Sequence, residues 1–204
     1  MAARSFSTNP TSYDVSIVVI KSRRLAAANS KWKVYLDHLV DSQGNEVLDY
    51  MAIEGSHLRQ DKIAGVAVLP VVNGRFALIK SYRHALGSKL WEVPHGFIDA
   101  GEAPVDAAVR ELAEETGLSC AANDLVPLGV YAPEPSTIAA RGALFAAVNC
   151  SGTPRLCNDE MGHHSLRLFK PAEMADLMKS GEIEDAATLI AYYRYNALAK
   201  STAD

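Results

Sequence analysis

Apolar and polar residues alternate along two segments near the N-terminus, Trp32–Val40 and Glu46–Ile53. Alternation with a period of two is typical of β-strands that bury one face. The turn-forming sequence Ser-Gln-Gly-Asn, residues 42–45, separates the two segments. We therefore predict an antiparallel β-hairpin in this region.

A second pair of apolar segments follows, Gly65–Val72 and Arg75–Arg83. Asn73 and Gly74 lie between them. Asn-Gly is the strongest short-range hairpin signal, because both residues tolerate the positive φ that a two-residue turn requires. This pattern predicts a second hairpin.

A loop and a helix are predicted next. Pro94, Gly96 and Gly101 indicate irregular backbone ahead of the helix. A helical pattern then covers Pro104–Thr116, with Pro at a favoured first helical position and Gly117 as a C-terminal cap. The ends of this helix are therefore well defined by the sequence alone.

The rest of the chain predicts three further strands and two further helices. The strands are expected at Val126–Tyr131, Gly142–Val148 and Ser165–Phe169, and the helices at Pro171–Lys179 and Glu184–Ala199. Several strands with one central and one C-terminal helix imply an α+β fold or an αβα sandwich, preceded by the N-terminal hairpin.

A chain of 204 residues accommodates one full core and a small attachment. We expect a catalytic or binding domain over residues 59–200 and a β-rich segment over residues 16–58. Residues 1–15 contain several Ser residues and Pro10 but no apolar secretory core. We interpret them as a disordered tail, with a transit peptide as the alternative.

The composition narrows the range of partners. A net charge of −4 argues against sequence-independent binding of long nucleic acids, which requires clustered Lys and Arg. Small anions are compatible with it, because a bound metal or a few arginines reverse the local field. The most apolar run, Ile63–Val72, is too short to cross a bilayer and contains Pro70. We predict no membrane segment.

The cysteines carry no metal or disulfide signature. Cys120, Cys150 and Cys157 form no CxxC pair and have no His at zinc-finger spacing. They are interpreted as reduced thiols, and we expect a cytoplasmic protein.

The predicted helix is unusually acidic in its last two turns. Residues four apart share one face, so Glu111 and Glu115 project together, with Glu114 beside them and Arg110 one turn before Glu114. Each acid near a helix C-terminus costs about 0.3–1 kcal/mol against the macrodipole. Clustered carboxylates of this kind suit hard cations such as Mg²⁺. The alternative is an ordinary solvated face; Gly96 favours a metal site, because a glycine loop brings backbone carbonyls close.

The segment Gly96–Leu118, GFIDAGEAPVDAAVRELAEETGL, resembles the Nudix box at every fixed position. That box reads Gly-x5-Glu-x7-Arg-Glu-U-x-Glu-Glu-x-Gly-U, where U is a bulky apolar residue. The resemblance implies the Nudix αβα sandwich, in which a mixed β-sheet carries the box helix on one face.

Flanking segments resemble one subfamily. IKSYRHALGSKLWEVPHGFIDAGE is similar to the corresponding run of ADP-ribose pyrophosphatases and related nucleoside diphosphate sugar hydrolases. YAPEPST lies where that subfamily has a diagnostic proline, and GEIEDAATLIAYYRY resembles its C-terminal helix. Two departures occur: His95 replaces the usual Ala, and Pro133 and Pro135 both stand near the diagnostic position.

The resemblance implies a Mg²⁺ site, with Mn²⁺ as a possible substitute. Its expected ligands are four carboxylates and one backbone carbonyl, namely Glu102, Glu111, Glu114, Glu115 and the carbonyl of His95. Arg110 would orient the glutamates. The alternatives are a simple surface pair for Arg110 and a helix N-terminal charge for Glu102.

A general base is expected to come from outside the helix. By resemblance to ADP-ribose pyrophosphatases, a loop glutamate serves, and the segment CNDEMGHHS offers Glu160, with Asp159 and His163 nearby. Glu115 is the alternative, since a box glutamate serves in some Nudix members.

Substrate contacts are expected from three residues. The guanidinium of Arg83 suits a pair of phosphate oxygens. By analogy with the subfamily, Glu92 contacts the nucleotide or has a structural role, and Pro135 represents the proline loop. Trp32 or Tyr35 would stack on adenine, and the alternative for these aromatic residues is a place in the core.

The expected function is Mg²⁺-dependent hydrolysis of a nucleoside diphosphate linked to a sugar, with ADP-ribose, cleaved to AMP and ribose 5-phosphate, as the first candidate. The alternatives are hydrolysis of GDP-mannose, another nucleotide sugar, a dinucleoside polyphosphate or an oxidised nucleotide. A non-hydrolytic module that senses ADP-ribose is less favoured, because the box is intact. The N-terminal strands resemble those through which these enzymes dimerise, so a homodimer is expected.

Overall fold

The structure is a computed structural model that describes residues 18–56, 59–156 and 161–201. The chain divides into two compact units at Ile53 and Glu54. The predicted tail, residues 1–15, lies outside the described residues. Within the described part of the chain, no helix is long and apolar enough to cross a membrane.

The first unit contains a three-stranded sheet in the order β1-β2-β3. Its strands are β1 (Val19–Ala28), β2 (Trp32–Val40) and β3 (Glu46–Gly55). The turn between β2 and β3 is closed by Asp41, whose N–H donates to the Asn45 carbonyl at 3.0 Å. The Asp41 carboxylate accepts from the N–H groups of Gln43 and Asn45 at 2.8 and 2.9 Å. The predicted hairpin is confirmed.

Strand β1 was not predicted from the sequence. Its ten residues are all exposed, and VIKSRRLAAA has no regular alternation. It pairs antiparallel with β2, and the Arg23 guanidinium donates to both oxygens of the buried Asp37 at 2.8 Å. Arg23 also lies 4.6 Å from the centre of the Tyr35 ring. The strand is therefore held by cross-strand contacts, which a local pattern does not report.

The second unit is built on a mixed seven-stranded sheet. The order is β10-β5-β4-β9-β8, and β6 pairs with β5 while β7 pairs with β4. Among the strand pairs described for this sheet, only β4 and β9 are parallel. The strands are β4 (Ile63–Val72), β5 (Arg75–Arg83), β6 (Ser88–Glu92), β7 (His95–Phe97), β8 (Leu125–Tyr131), β9 (Arg141–Ala147) and β10 (His163–Phe169).

Helices cover both faces of this sheet. They are α1 (Pro104–Thr116), α2 (Pro171–Ser180) and α3 (Ala186–Ser201). On β4, Val66 and Val68 pack in the cluster that contains α1 residues, whereas Ala67 and Leu69 pack in the cluster that contains α3 residues. A strand buried on both faces reads as a continuous apolar run, as β4 does. The architecture is the predicted αβα sandwich.

Local signals located most elements to within two residues. Asn73 and Gly74 have φ of 49° and 72°, as a two-residue hairpin turn between β4 and β5 requires. Helix α1 has its predicted bounds, and Gly117, at φ 66°, donates its N–H to the Ala113 carbonyl at 2.9 Å. The loop predicted around Gly96 is corrected: residues 95–97 form β7, because they hydrogen-bond to the edge of β4.

Candidate active site

Helix α1 and strand β7 bring together two buried carboxylates. Ala107, Ala108 and Leu112 bury one side of α1 against the sheet. Glu111 and Glu115, four residues apart, are only 8% and 3% exposed. Two carboxylates are thus fixed side by side on a rigid element, where burial strengthens their electrostatic interactions.

Gly96 of β7 makes room for the first of these carboxylates. A Cβ at this position would lie 2.2 Å from Cδ of Glu111 and 2.1 Å from its Oε1. No side chain can be accommodated at that distance without moving the carboxylate. The close approach, and not an unusual φ, explains glycine at position 96.

Arg110 joins three glutamates, and we call these four residues the Arg110 cluster. Its Nε and Nη2 donate to the two oxygens of Glu102, both at 2.9 Å. Its Nη1 donates to Glu111 at 2.7 Å and to Glu114 at 3.1 Å. Nη2 also donates to the Phe97 carbonyl at 3.0 Å. All five guanidinium N–H groups therefore have acceptors.

These contacts shift the pKa values of Glu102 and Arg110. The Arg110 guanidinium lowers the pKa of Glu102 below its usual value, helped by the Asp99 N–H, which donates to Glu102 at 2.9 Å. The hydrogen bonds that Arg110 donates to Glu102 in turn raise the pKa of Arg110. Both groups are thus ionised over the physiological range, and Arg110 offsets part of the acidic charge.

Glu115 is held between strands β7 and β10. The His95 backbone N–H donates to its Oε2 at 3.1 Å. The Nε2 atom of the buried His163 lies 3.7 Å from its Oε1. The sequence placed His163 near Glu160; Asp159 and Glu160 themselves lie outside the described residues.

The His95 carbonyl points away from β4. The neighbouring hydrogen bonds of the ladder run from Val68 N–H to the Pro94 carbonyl at 2.9 Å and from Ile98 N–H to the Ala64 carbonyl at 3.1 Å. Hydrogen-bonded and non-hydrogen-bonded residue pairs alternate along an antiparallel ladder. His95, which is opposite Ala67 and next to the bonded Pro94, belongs to a non-hydrogen-bonded pair. Its N–H and its carbonyl therefore both face away from β4. Its N–H reaches Glu115 there, which places the carbonyl on the same side as that carboxylate.

A second ionic cluster, the Arg83 cluster, consists of Arg83, Glu92 and His95. The Arg83 Nε donates to the two Glu92 oxygens at 2.9 and 2.8 Å, and its Nη2 also donates to Glu92. Nη2 lies 2.7 Å from Nε2 of His95. The Glu92 side chain is 4% exposed and that of Arg83 is 33% exposed. The sequence nominated Arg83 and Glu92 separately, and the structure pairs them.

Pro135 belongs to neither of these clusters. It lies exposed in a turn whose Glu134 carbonyl accepts from the N–H groups of Thr137 and Ile138 at 3.2 and 2.8 Å. Burial, and secondarily a nearby carboxylate, raises the pKa of Tyr131, just before this turn, to about 12. This tyrosine is neutral at physiological pH.

The donor set fits a hard divalent cation. It consists of carboxylates and one backbone carbonyl, the oxygen ligands that Mg²⁺ takes. Among the described residues, however, no three His, Cys, Asp or Glu side chains converge on a point that would hold an ion. Glu102, Glu111 and Glu114 turn towards Arg110 instead. Metal binding would therefore require at least some of these carboxylates to turn away from the guanidinium.

The second unit matches a known protein family. The family model for the NUDIX domain matches residues 61–192. The chain belongs to the Nudix family. The solved structure of an ADP compounds hydrolase superposes with a TM-score of 0.74 at 22% identity, covering 91% of this Nudix chain and 95% of the other. That likeness supports the fold.

Two curated relatives extend the comparison. The ADP-ribose pyrophosphatase of Mycobacterium tuberculosis is 32% identical over 118 residues, which are 57% of this chain and 56% of that protein. The RNA pyrophosphohydrolase of Bartonella bacilliformis is 56% identical over 45 residues, which are 22% of this chain and 26% of that protein. This Nudix chain therefore spans about half the length of the first relative and about a quarter of the second.

Proposed function

We propose that this Nudix protein is a pyrophosphatase that uses a divalent cation to hydrolyse a nucleoside diphosphate linked to a sugar. The observation that carries the proposal is the pair of buried carboxylates, Glu111 and Glu115, fixed between α1 and β7 beside Arg110. Hydrolysis of a diphosphate requires little covalent chemistry from the protein, which must hold charged groups in fixed positions. The site is built for that task.

ADP-ribose is the first candidate substrate, with AMP and ribose 5-phosphate as products. The similarity to the mycobacterial ADP-ribose pyrophosphatase covers 57% of the chain, well beyond the box. The similarity to the Bartonella RNA pyrophosphohydrolase covers 22%. Of these two relatives, the one with the longer match supports ADP-ribose as the first candidate.

The cation would be held by Glu111, Glu115 and Glu114, with Glu102 bound directly or through water and the His95 carbonyl as a further ligand. Bound there, Mg²⁺ would neutralise charge on the diphosphate and activate a water molecule. Mn²⁺ is expected to substitute, because it takes the same oxygen ligands. Arg110 keeps Glu102 ionised and also donates to Glu111 and Glu114.

Two glutamates are candidates for the general base. Glu160 comes from the segment that precedes β10, and Glu115 is already held by the His95 N–H. Replacing each glutamate by Gln distinguishes a general base from a metal ligand. The Gln variant of the base should bind the cation as the wild type does and lose turnover, whereas the Gln variant of a metal ligand should also bind the cation more weakly.

We assign Arg83 to the diphosphate of the substrate. Glu92 is buried and bonded to Arg83, so its role is to fix that side chain. Pro135 is proposed to border the substrate from its exposed turn. The partner is thus a small nucleoside diphosphate derivative.

A homodimer through the first unit is part of the proposal. Large apolar side chains are exposed on its strands, including Ile20 (49%), Leu25 (53%) and Leu48 (69%). Exposed apolar patches of this kind favour a protein contact. Light scattering of the wild type and of Leu48→Glu would test it, with the dimer expected to dissociate in the variant.

The decisive experiment is a panel of nucleoside diphosphate derivatives assayed with Mg²⁺ and an added phosphatase, which releases phosphate from the products. ADP-ribose should react, and Glu115→Gln should lower its turnover by a factor on the order of 10² or more. Glu173→Gln, on the remote helix α2, is the matched control and should retain activity. Reaction of nucleoside triphosphates alone would exclude the ADP-ribose assignment, and wild-type turnover of Glu115→Gln would exclude the metal assignment.

A further inference from the structure

The side chain of His95 has contacts that the metal proposal does not use. Its Nδ1 lies 2.9 Å from the Val93 carbonyl oxygen, and its Nε2 lies 2.7 Å from Nη2 of Arg83. The proposed cation ligand of this residue is its backbone carbonyl. The imidazole is therefore available for a separate task.

The partners fix the tautomer of the ring. A backbone carbonyl only accepts, so Nδ1 must carry the proton that is donated to Val93. A guanidinium only donates, so Nε2 must be the acceptor of the Arg83 N–H. The neutral Nδ1–H tautomer satisfies both contacts at once.

Arg83 needs such a contact because its side chain reaches far along the sheet. In the β5–β6 register, Arg83 is opposite Ser88, whereas Glu92 is opposite Ile79, four residues away on β5. An even spacing places Arg83 and Glu92 on one face. An arginine extended in this way has several rotatable bonds, and their freedom is lost when the side chain binds a ligand. Each contact that already restricts this motion in the free protein reduces the entropy lost on binding.

The two acceptors of Arg83 come from different strands. Glu92 ends β6 and accepts from Nε and Nη2, whereas His95 begins β7 and accepts from Nη2. Rotation about the Nε–Cζ bond leaves the Nε contact intact but breaks the contacts of Nη2. His95 therefore adds a second anchor against that rotation.

We propose that the His95 imidazole is a positioning residue that holds the Arg83 guanidinium in the orientation in which it binds the substrate diphosphate. The inference rests on the proposed role of Arg83 in substrate binding. In this proposal, His95 is an acceptor that acts on the substrate only through Arg83. The same residue also donates its backbone N–H to Glu115, so it contacts both the Arg83 cluster and a buried carboxylate of helix α1.

The test compares His95→Leu, which removes both contacts, with His95→Gln, whose amide can donate to Val93 and accept from Arg83. ADP-ribose binding is measured by calorimetry in EDTA, and the rotation of the Arg83 Nε–Cζ bond is measured by NMR. His164→Leu is the matched control, because His164 is exposed and contacts Lys89. In His95→Leu the Nε–Cζ bond of Arg83 should rotate faster than in the wild type. This variant should also bind ADP-ribose about tenfold more weakly, the factor given by about 1.4 kcal/mol of lost hydrogen bonding. His95→Gln should recover most of both, and the loss in steady state should fall mainly on KM.

A double-mutant cycle with Arg83→Met makes the mechanism specific. In that background His95→Leu should weaken binding no further, because its partner is already absent. An equal loss in both backgrounds, or unchanged rotation in His95→Leu, would overturn the proposal. If His95→Leu does not fold, His95→Ala replaces it in the same cycle. If wild-type protein does not bind ADP-ribose, the proposed function fails, and the rotation rates still decide whether His95 positions Arg83.

Discussion

Replacing Arg110 by Met removes the charge and all five N–H donors of the Arg110 cluster while keeping most of the aliphatic stem. The wild-type guanidinium donates to Glu102, Glu111 and Glu114. In Arg110→Met these carboxylates face one another without the intervening cation. We expect a less stable protein in the absence of metal.

The magnitude follows from the exposure of the partners. Removing one partner of a fully buried ion pair costs roughly 3–5 kcal/mol, and exposed pairs contribute about 0–1 kcal/mol. The side chains of Arg110, Glu102 and Glu111 are 29%, 17% and 10% exposed, between these limits. We therefore expect a loss of about 2–3 kcal/mol in the free energy of unfolding. With a urea slope of about 2 kcal/mol per molar, the midpoint should fall by roughly 1 M.

Urea unfolding in EDTA, followed by circular dichroism, measures this shift. Arg167→Met is the matched control, because Arg167 donates to Glu173 at 2.7 Å but the two side chains are 55% and 40% exposed. Its midpoint should scarcely move. Equal shifts in the two variants would refute the argument from burial. Added Mg²⁺ should restore part of the stability of Arg110→Met, since it supplies positive charge to the same carboxylates.

Three further predictions concern single positions. Gly96→Ala should lower turnover of ADP-ribose by a factor on the order of 10², because its Cβ would displace the Glu111 carboxylate. Burial raises the pKa of Tyr131 to about 12, so the folded state favours its neutral form. That stabilisation, about 3 kcal/mol for a pKa raised from about 10 to about 12, is complete below pH 10 and is lost as the pH rises towards 12. Tyr131→Phe should abolish this loss in urea titrations. Burial also raises the pKa of Cys120, and raises that of Cys150 to about 12. Both thiols should therefore react with iodoacetamide at pH 8 only after unfolding, as peptide mass spectrometry would show.

Each of these predictions has a clear contrary result. Wild-type turnover in Gly96→Ala would mean that the Glu111 carboxylate does not need its place against β7. An unchanged alkaline loss of stability in Tyr131→Phe would assign that loss to other groups. Rapid alkylation of Cys120 or Cys150 in the native protein would show that these thiols are accessible as thiolates.

Local rules predicted the elements that depend on neighbours in sequence. Pro104 and Gly117 gave the ends of α1, and Asn73-Gly74 gave the β4–β5 turn, because caps and tight turns are decided by a few adjacent residues. The spacing of Glu111 and Glu115 likewise implied a shared face. That shared face follows from the helix period of about 3.6 residues.

The contacts between elements were not predictable in the same way. Arg23 and Asp37 hold β1, and Arg83 pairs with Glu92, only because strand register brings them together. The sequence proposed Glu92 as a nucleotide contact or a structural residue, without its partner. Register depends on which strands pair, and that is settled by the whole sheet.

Strand β7 contributes to the site at each of its three residues. Within its three residues, His95 donates its N–H to Glu115 and its imidazole contacts Arg83, Gly96 makes room for a carboxylate, and the Phe97 carbonyl accepts from Arg110. Each contact uses a different kind of atom: an N–H, a ring nitrogen, a missing Cβ and a carbonyl. A shift of β7 by one residue along β4 would exchange all of these at once. The pairing of β7 with the central strand β4 therefore positions the groups of β7 that contact helix α1 and Arg83.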